Sequence, residues 1–161
     1  MRFMPLAAAL FVALIGASPS FGQTPPVYGP SITLEQAKKA MAAAENEATR
    51  NGFIVAIAII DSGGNQVMLH KLDNAQLAAI DASVAKAQTA LAFKLPSKAL
   101  EDAVTAGGPG LRLVGIKGVF AVEGGIPILI DGKIVGAIGV SGGLSGQNSQ
   151  IARAGIEGVA K

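Results

Sequence analysis

Asp131-Gly132 stands between two apolar, β-branched runs, residues 126–130 and 133–140. An Asp-Gly pair tolerates positive φ at both central positions of a two-residue turn, and that turn has the twist of paired strands. The two runs are therefore committed to an antiparallel hairpin. A second hairpin is predicted upstream. Residues 53–60 read as a buried strand, Asp61-Ser62-Gly63-Gly64-Asn65 as a turn, and 66–72 as the returning strand. A further strand is expected over 117–124. Strands joined this way build an antiparallel sheet, here of about five strands, whose apolar face must be covered by helices.

Helical periodicity supplies the cover. Thr33 with Gln36 three residues on is a capping box, and Leu34, Ala37, Met41, Ala44 and Ala48 recur at 3,4 spacing until Asn51-Gly52. Asp73-Asn74 is expected to open a second helix with Leu77, Ile80, Val84, Ala87 and Leu91 on its inner face, broken by Lys94-Leu95-Pro96. Ser97 caps a short helix to about Thr105, and Gly107-Gly108-Pro109-Gly110 follows as a glycine-rich loop. Ser145 begins a last helix with Ile151, Ala154 or Gly155, and Val159 inward. The predicted order is α-β-β-α-α-β-β-β-α, an α+β domain.

The chain has 161 residues, half of them hydrophobic and 15% charged. That fits one folded domain and excludes a highly charged disordered tail. There is no Cys and one His, which excludes disulfides, thiolate metal sites, cysteine nucleophiles and a His-cluster metal site within one chain. Aromatics are 4% and the formal net charge is +2, so neither a stacking platform nor a basic patch for nucleic acid is present.

Residues 1–22 read as a secretory signal peptide. Arg2 gives a positive start, residues 6–15 an apolar run, and Ser20 and Gly22 small residues before a cleavage at Gln23. The run is about half the roughly 20 residues that a membrane span needs. The expected organisation is a signal peptide at 1–22, an extended lead-in at 23–32 with Pro25, Pro26 and Pro30, and one domain at 33–161. The expected location is periplasmic or secreted. An exported chain without Cys relies on its core or on self-association, so a homo-oligomer is expected.

The chemistry is less determined. The GxxxxGK and GxGxxG nucleotide patterns are both missing. The acids Asp61, Asp73, Asp81, Glu101, Asp102, Glu123 and Asp131 have no pairing that assigns catalysis. Strand alternation places Met68 and His70 on one face. A haem iron in this chain would draw its ligand from His70, Met41, Met68, Tyr28, a Lys or a hydroxyl, or from another subunit.

Four segments carry a resemblance. They are His70-Lys71-Leu72-Asp73-Asn74-Ala75; residues 82–90 with the core Lys86-Ala87-Gln88-Thr89-Ala90; Gly124-Gly125-Ile126-Pro127-Ile128; and Gly136-Ala137-Ile138-Gly139-Val140-Ser141-Gly142-Gly143. In order and spacing, from about residue 34 to 160, the chain resembles the haem-binding GlcG/HbpS-like family. The resemblance implies a profilin-like α+β fold of the PduO C-terminal type, symmetric oligomers, and haem or another tetrapyrrole as ligand. It also implies haem sensing or scavenging for exported members, with a membrane sensor protein as a candidate partner.

On that reading His70 is the metal ligand with Met68 beside it, and Lys71, Lys86, Lys94 and Arg112 are candidate partners of the haem propionates. No catalytic residue is assigned. Lys71 stands where the family usually has Arg, and Gln147-Asn148 where relatives often carry an acid. Two other readings stay open. One is an enzyme acting on a small organic acid or aromatic compound through Asp73, Lys86 and the glycine-rich loops. The other is an accessory partner of a membrane sensor.

Overall fold

The computed structural model describes residues 25–159; the expected signal peptide lies outside them. The elements are α1 (Leu34–Arg50), β1 (Ala56–Asp61), β2 (Gln66–Lys71), α2 (Leu77–Phe93), α3 (Ser97–Thr105), a 3-10 helix (Gly108–Gly115), β3 (Gly125–Ile130), β4 (Lys133–Ser141) and α4 (Ser145–Val159). The strands form one antiparallel sheet in the order β2-β1-β4-β3. No helix among the described residues is long and apolar enough to cross a membrane.

Local chemistry accounts for the ends of the elements. Thr33 and Gln36 close the capping box of α1 in both directions, at 3.2 and 2.9 Å. In the β1–β2 turn, Asp61 Oδ1 accepts from the N–H groups of Gly63 and Asn65, each at 2.9 Å. At the β3–β4 turn Asp131 has φ 50° and Gly132 φ 73°, the two left-handed residues of a type I′ turn.

The two faces of the sheet are covered differently. On one face Ile57, Ile59, Ile138 and Val140 meet Met41, Ala44 and Ile151 of α1 and α4 in the main core. On the other, α2 lies across β1, β4 and β3, with Ala87, Ala90 and Leu91 against Ile60 and Ala137. Here the strands present glycine. A Cβ on Gly139 would overlap the Ser83 carbonyl and come within 2.7 Å of the Ala87 nitrogen; one on Gly125 would overlap the Lys86 carbonyl. The helix backbone thus rests on the sheet backbone.

That contact corrects the expected face of α2. Its buried residues are Ala79, Ser83, Lys86, Ala87, Thr89, Ala90 and Leu91, whereas Leu77 is 82% exposed. Helix α2 also begins later than expected. Asn74 takes φ 65° in a turn and the N-cap is Gln76, so Asp73-Asn74 does not open it.

The expected strand at 117–124 is not one, and the sheet has four strands rather than five. Gly118 and Gly124 have φ of 86° and 127°. The intervening backbone bonds to side chains, with the Phe120 N–H donating to Thr89 Oγ1 at 2.8 Å and Ser97 Oγ donating to the Val122 carbonyl at 2.7 Å. Groups so engaged cannot join a ladder. The glycine-rich stretch at 107–110 leads into the 3-10 helix rather than an open loop.

Upstream of α1, the chain runs beside the start of β4. Gly29 N–H donates to the Ile134 carbonyl and Ile32 N–H to that of Val135, both at 2.8 Å. It occupies the edge that β1 leaves, because β1 pairs with β4 only as far as Gly136.

The α2 contact sets a stability expectation. Gly139→Ala forces a methyl group into the backbone of α2 at Ser83 and Ala87 and should lower unfolding free energy by about 3 kcal/mol or more. Urea denaturation reads this directly; an unchanged midpoint would mean that α2 does not sit on β4 as described.

Candidate functional site

The close approach of α2 to β3 determines where Lys86 goes. With its own carbonyl pressed on Gly125, the residue is 2% exposed. Its Nζ donates to the Val140 carbonyl at 3.1 Å. A Cβ on Gly124 would lie 3.2 Å from that nitrogen, and the φ of +127° at Gly124 is one that a residue with a side chain rarely adopts.

Lys86 lines a cleft of about 530 Å³ at the end of β4, together with Gln76, Phe120, Val122, the Ser141–Ser145 turn, Gln147 and Asn148. Burial pushes the ammonium pKa down to about 8, although Glu101 and Glu123 lie close enough to favour its charge. Glu101 is held in place by the Glu123 N–H, which donates to its carboxylate.

The cleft wall at the start of α4 is built by two amide side chains. Asn148 is buried, and it accepts from the Gly143 N–H at 3.1 Å while donating to the Gly143 carbonyl at 3.0 Å. Gln147 Oε1 accepts from the Leu144 N–H at 2.9 Å, which is half of a capping box. The sequence marked these positions only as missing acids. The signal for their role was the amide three residues into the helix.

His70 belongs to the other face. It pairs with Ile57 and Met68 pairs with Ile59, so both point to the α1 side. His70 Nδ1 lies 2.6 Å from Glu45 Oε1 of α1, with side chains 42% and 33% exposed. A carboxylate accepts only, so Nδ1 donates to it, and in the neutral imidazole the lone pair is on Nε2. A carboxylate behind the imidazole is the usual way that a metal-binding His is oriented. Met41 is sealed in the core, and the Tyr28 hydroxyl donates to the Leu91 carbonyl at 2.9 Å.

The six sequence-predicted residues are not gathered into one site within the chain. Met68 and His70 share the α1 face. Lys86 lies across the sheet in the cleft. Lys71 pairs with Ala56 at the β2 edge and is exposed. Lys94 ends α2 in a left-handed conformation, its ammonium 4.4 Å over the Tyr28 ring. It stands two helical turns beyond Lys86, roughly 12 Å along the axis. Arg112 is exposed on the 3-10 helix. Among the described residues no group of three or more acids and imidazoles is arranged to hold a metal ion.

Comparison with known proteins identifies the family. The family model described as "Haem degrading protein HbpS-like" matches residues 32–157. The protein GlcG of Escherichia coli strain K12 is 33% identical over 110 residues, covering 68% of this chain and 81% of GlcG. The crystal structure of HbpS matches with a TM-score of 0.72 at 32% identity, over 81% of this chain and 92% of that one. A crystal structure of a PduOC:haem complex matches with a TM-score of 0.72 at 26% identity, over 80% and 94% of the two chains. The family match runs from the end of the lead-in into α4 and takes in every strand. The chain belongs to the HbpS-like family.

Proposed function

We propose that this chain is an exported haem-binding protein whose iron ligand is His70. One observation carries the reading: a half-exposed imidazole, tied at Nδ1 to Glu45 at 2.6 Å, with Nε2 free to bind a metal. The donor set fits haem, because a single imidazole would be enough to hold its iron. Haem supplies the iron and its redox and spectroscopic properties. Glu45 fixes the tautomer and ring orientation. Met68 fills the neighbouring position on the strand.

Similarity to a structure of PduOC with haem and to HbpS supports the ligand class. The signal-like segment at residues 1–22 supports export to the periplasm or beyond, and with it a role in haem sensing or scavenging alongside a membrane sensor. Leu77, Leu144 and Val114 are 82%, 75% and 70% exposed, and large apolar groups left at the surface of one chain support a homo-oligomer. Within one chain the sheet separates Lys86 from His70, so Lys86 is not placed to meet the propionates of a haem on His70.

Two outcomes are expected. His70→Ala should abolish the Soret shift on haemin titration and weaken binding by about tenfold or more, with Glu45→Gln intermediate. A spectrum and affinity unchanged in both variants would remove His70 from the iron. N-terminal sequencing of protein recovered from its natural compartment should begin at or near Gln23, and a mature chain retaining Arg2 would remove the export reading.

A further inference from the structure

We infer that the cleft at Lys86 is a second binding site, for the carboxylate of a small organic acid, on the opposite side of the sheet from His70. The lysine is the first reason. Its side chain is almost wholly buried and its one hydrogen bond is to the Val140 carbonyl. An ammonium has three donors, and the space beside this one is the cleft that Lys86 lines. No salt-bridge partner lies within reach among the described residues. A buried charge in that position gains most from an anion arriving in the cleft.

The second reason is the opposite wall. The 15-residue α4 starts at Ser145, and Ser145 and Gln147 of its first turn line the same cleft. The first amides of a helix have no intrahelical acceptor and carry partial positive charge. Asn148 and Gln147 occupy the amides of Gly143 and Leu144, so the turn before the helix is rigid. Lys86 and the helix start thus face one space from two elements fixed by separate contacts.

The charge balance selects the class of anion. The cleft lining holds one cation and no arginine. Glu101 from α3 and Glu123 from the adjoining segment both act on Lys86. Their negative charge opposes a dianion such as phosphate and tolerates a single carboxylate. Ser141, Ser145, Gln76 and Gln147 offer hydrogen bonds to a polar body, and Phe120, Val122 and Leu144 offer apolar contact. A volume of about 530 Å³ is that of a small-molecule site.

The test is calorimetric titration of the full mature protein with pyruvate, acetate and benzoate, with benzamide and inorganic phosphate as comparisons. At least one carboxylate should bind, and benzamide should not. Lys86→Met should weaken that binding by about tenfold or more, since a charge-assisted hydrogen bond is lost. Gln147→Glu keeps the acceptor for the Leu144 N–H and so preserves the helix start, yet places a like charge at the cleft. It should also weaken binding, and it guards against misfolding of the first variant.

Affinity should fall as pH rises above about 8, where Lys86 loses its proton. Haemin-loaded protein and His70→Ala should bind the acid as the unmodified protein does, so failure of the haem reading leaves this outcome untouched. No carboxylate binding at millimolar concentration would overturn the inference. So would phosphate binding more tightly than every carboxylate, or haemin displacing the acid, which would make the cleft a propionate pocket.

Discussion

The contact on which the rest depends is that of α2 with the glycines of β3 and β4. Helices normally ride on a sheet through two layers of side chains, which hold the two backbones apart. Here Gly125 and Gly139 remove the sheet's layer, and Ala79, Ser83, Ala87 and Ala90 reduce the helix's layer. The backbones then meet. The approach gathers many small dispersion contacts in place of a few large side chains, which suits a chain with so few aromatics. It also fixes the helix along its axis, because each glycine accepts one particular carbonyl. Lys86 is set in place by that register, with its Cα over Gly125 and its Nζ under the Val140 carbonyl.

How far the sequence disclosed this depends on the kind of signal. The Asp131-Gly132 turn and the Thr33–Gln36 capping box were legible because both are local: a few residues and their own backbone suffice. The family resemblance was legible because it rests on order and spacing over most of the chain. The face of α2 was legible only in part: Ala87 and Leu91 are buried as their spacing implies, but the rest of the buried face is a different one. Hydrophobic periodicity selects Leu77, Ile80 and Val84, on the premise that larger apolar groups go inward, whereas the glycine floor has room only for small ones. The information lay in the pairing of an Ala/Ser-rich helix with alternate glycines on distant strands, which no single window contains. The segment 117–124 failed for a related reason. Its apolar run reads as a strand, but its hydrogen bonds go to Thr89, Ser97 and Glu101 of α2 and α3.

The candidate site residues divide in the same way. Alternation along β2 placed Met68 and His70 together, and that is a property of any strand. The carboxylate behind His70 comes from Glu45, 25 residues earlier, and only the packing of α1 on the sheet brings the two together. The cations were chosen by type alone, and the fold distributes them. Lys94 is drawn to the Tyr28 ring, where a cation above an aromatic face is favoured. Lys86 is drawn into the cleft. One sheet thereby carries two chemically different faces, an imidazole with its carboxylate on one side and a buried ammonium on the other.

The buried ammonium is costly for the fold. Lowering its pKa from 10.5 to about 8 means that the folded state disfavours the charged form by about 3 kcal/mol relative to the unfolded chain. The folded pKa is depressed for a cation, so this cost is present in full below pH 8 and disappears as pH rises toward 10.5. An apolar side chain of similar length, such as methionine, would avoid it. What offsets the cost in the protein itself is limited to one carbonyl and two glutamates that do not reach the nitrogen. A carboxylate in the cleft would supply the missing partner and raise the pKa of Lys86 again. Because linkage is reciprocal, a group that favours charge on Lys86 is favoured in turn by it. The same burial that weakens the empty fold therefore strengthens the hold on an anion, and both follow from the two glycines that let α2 down onto the sheet.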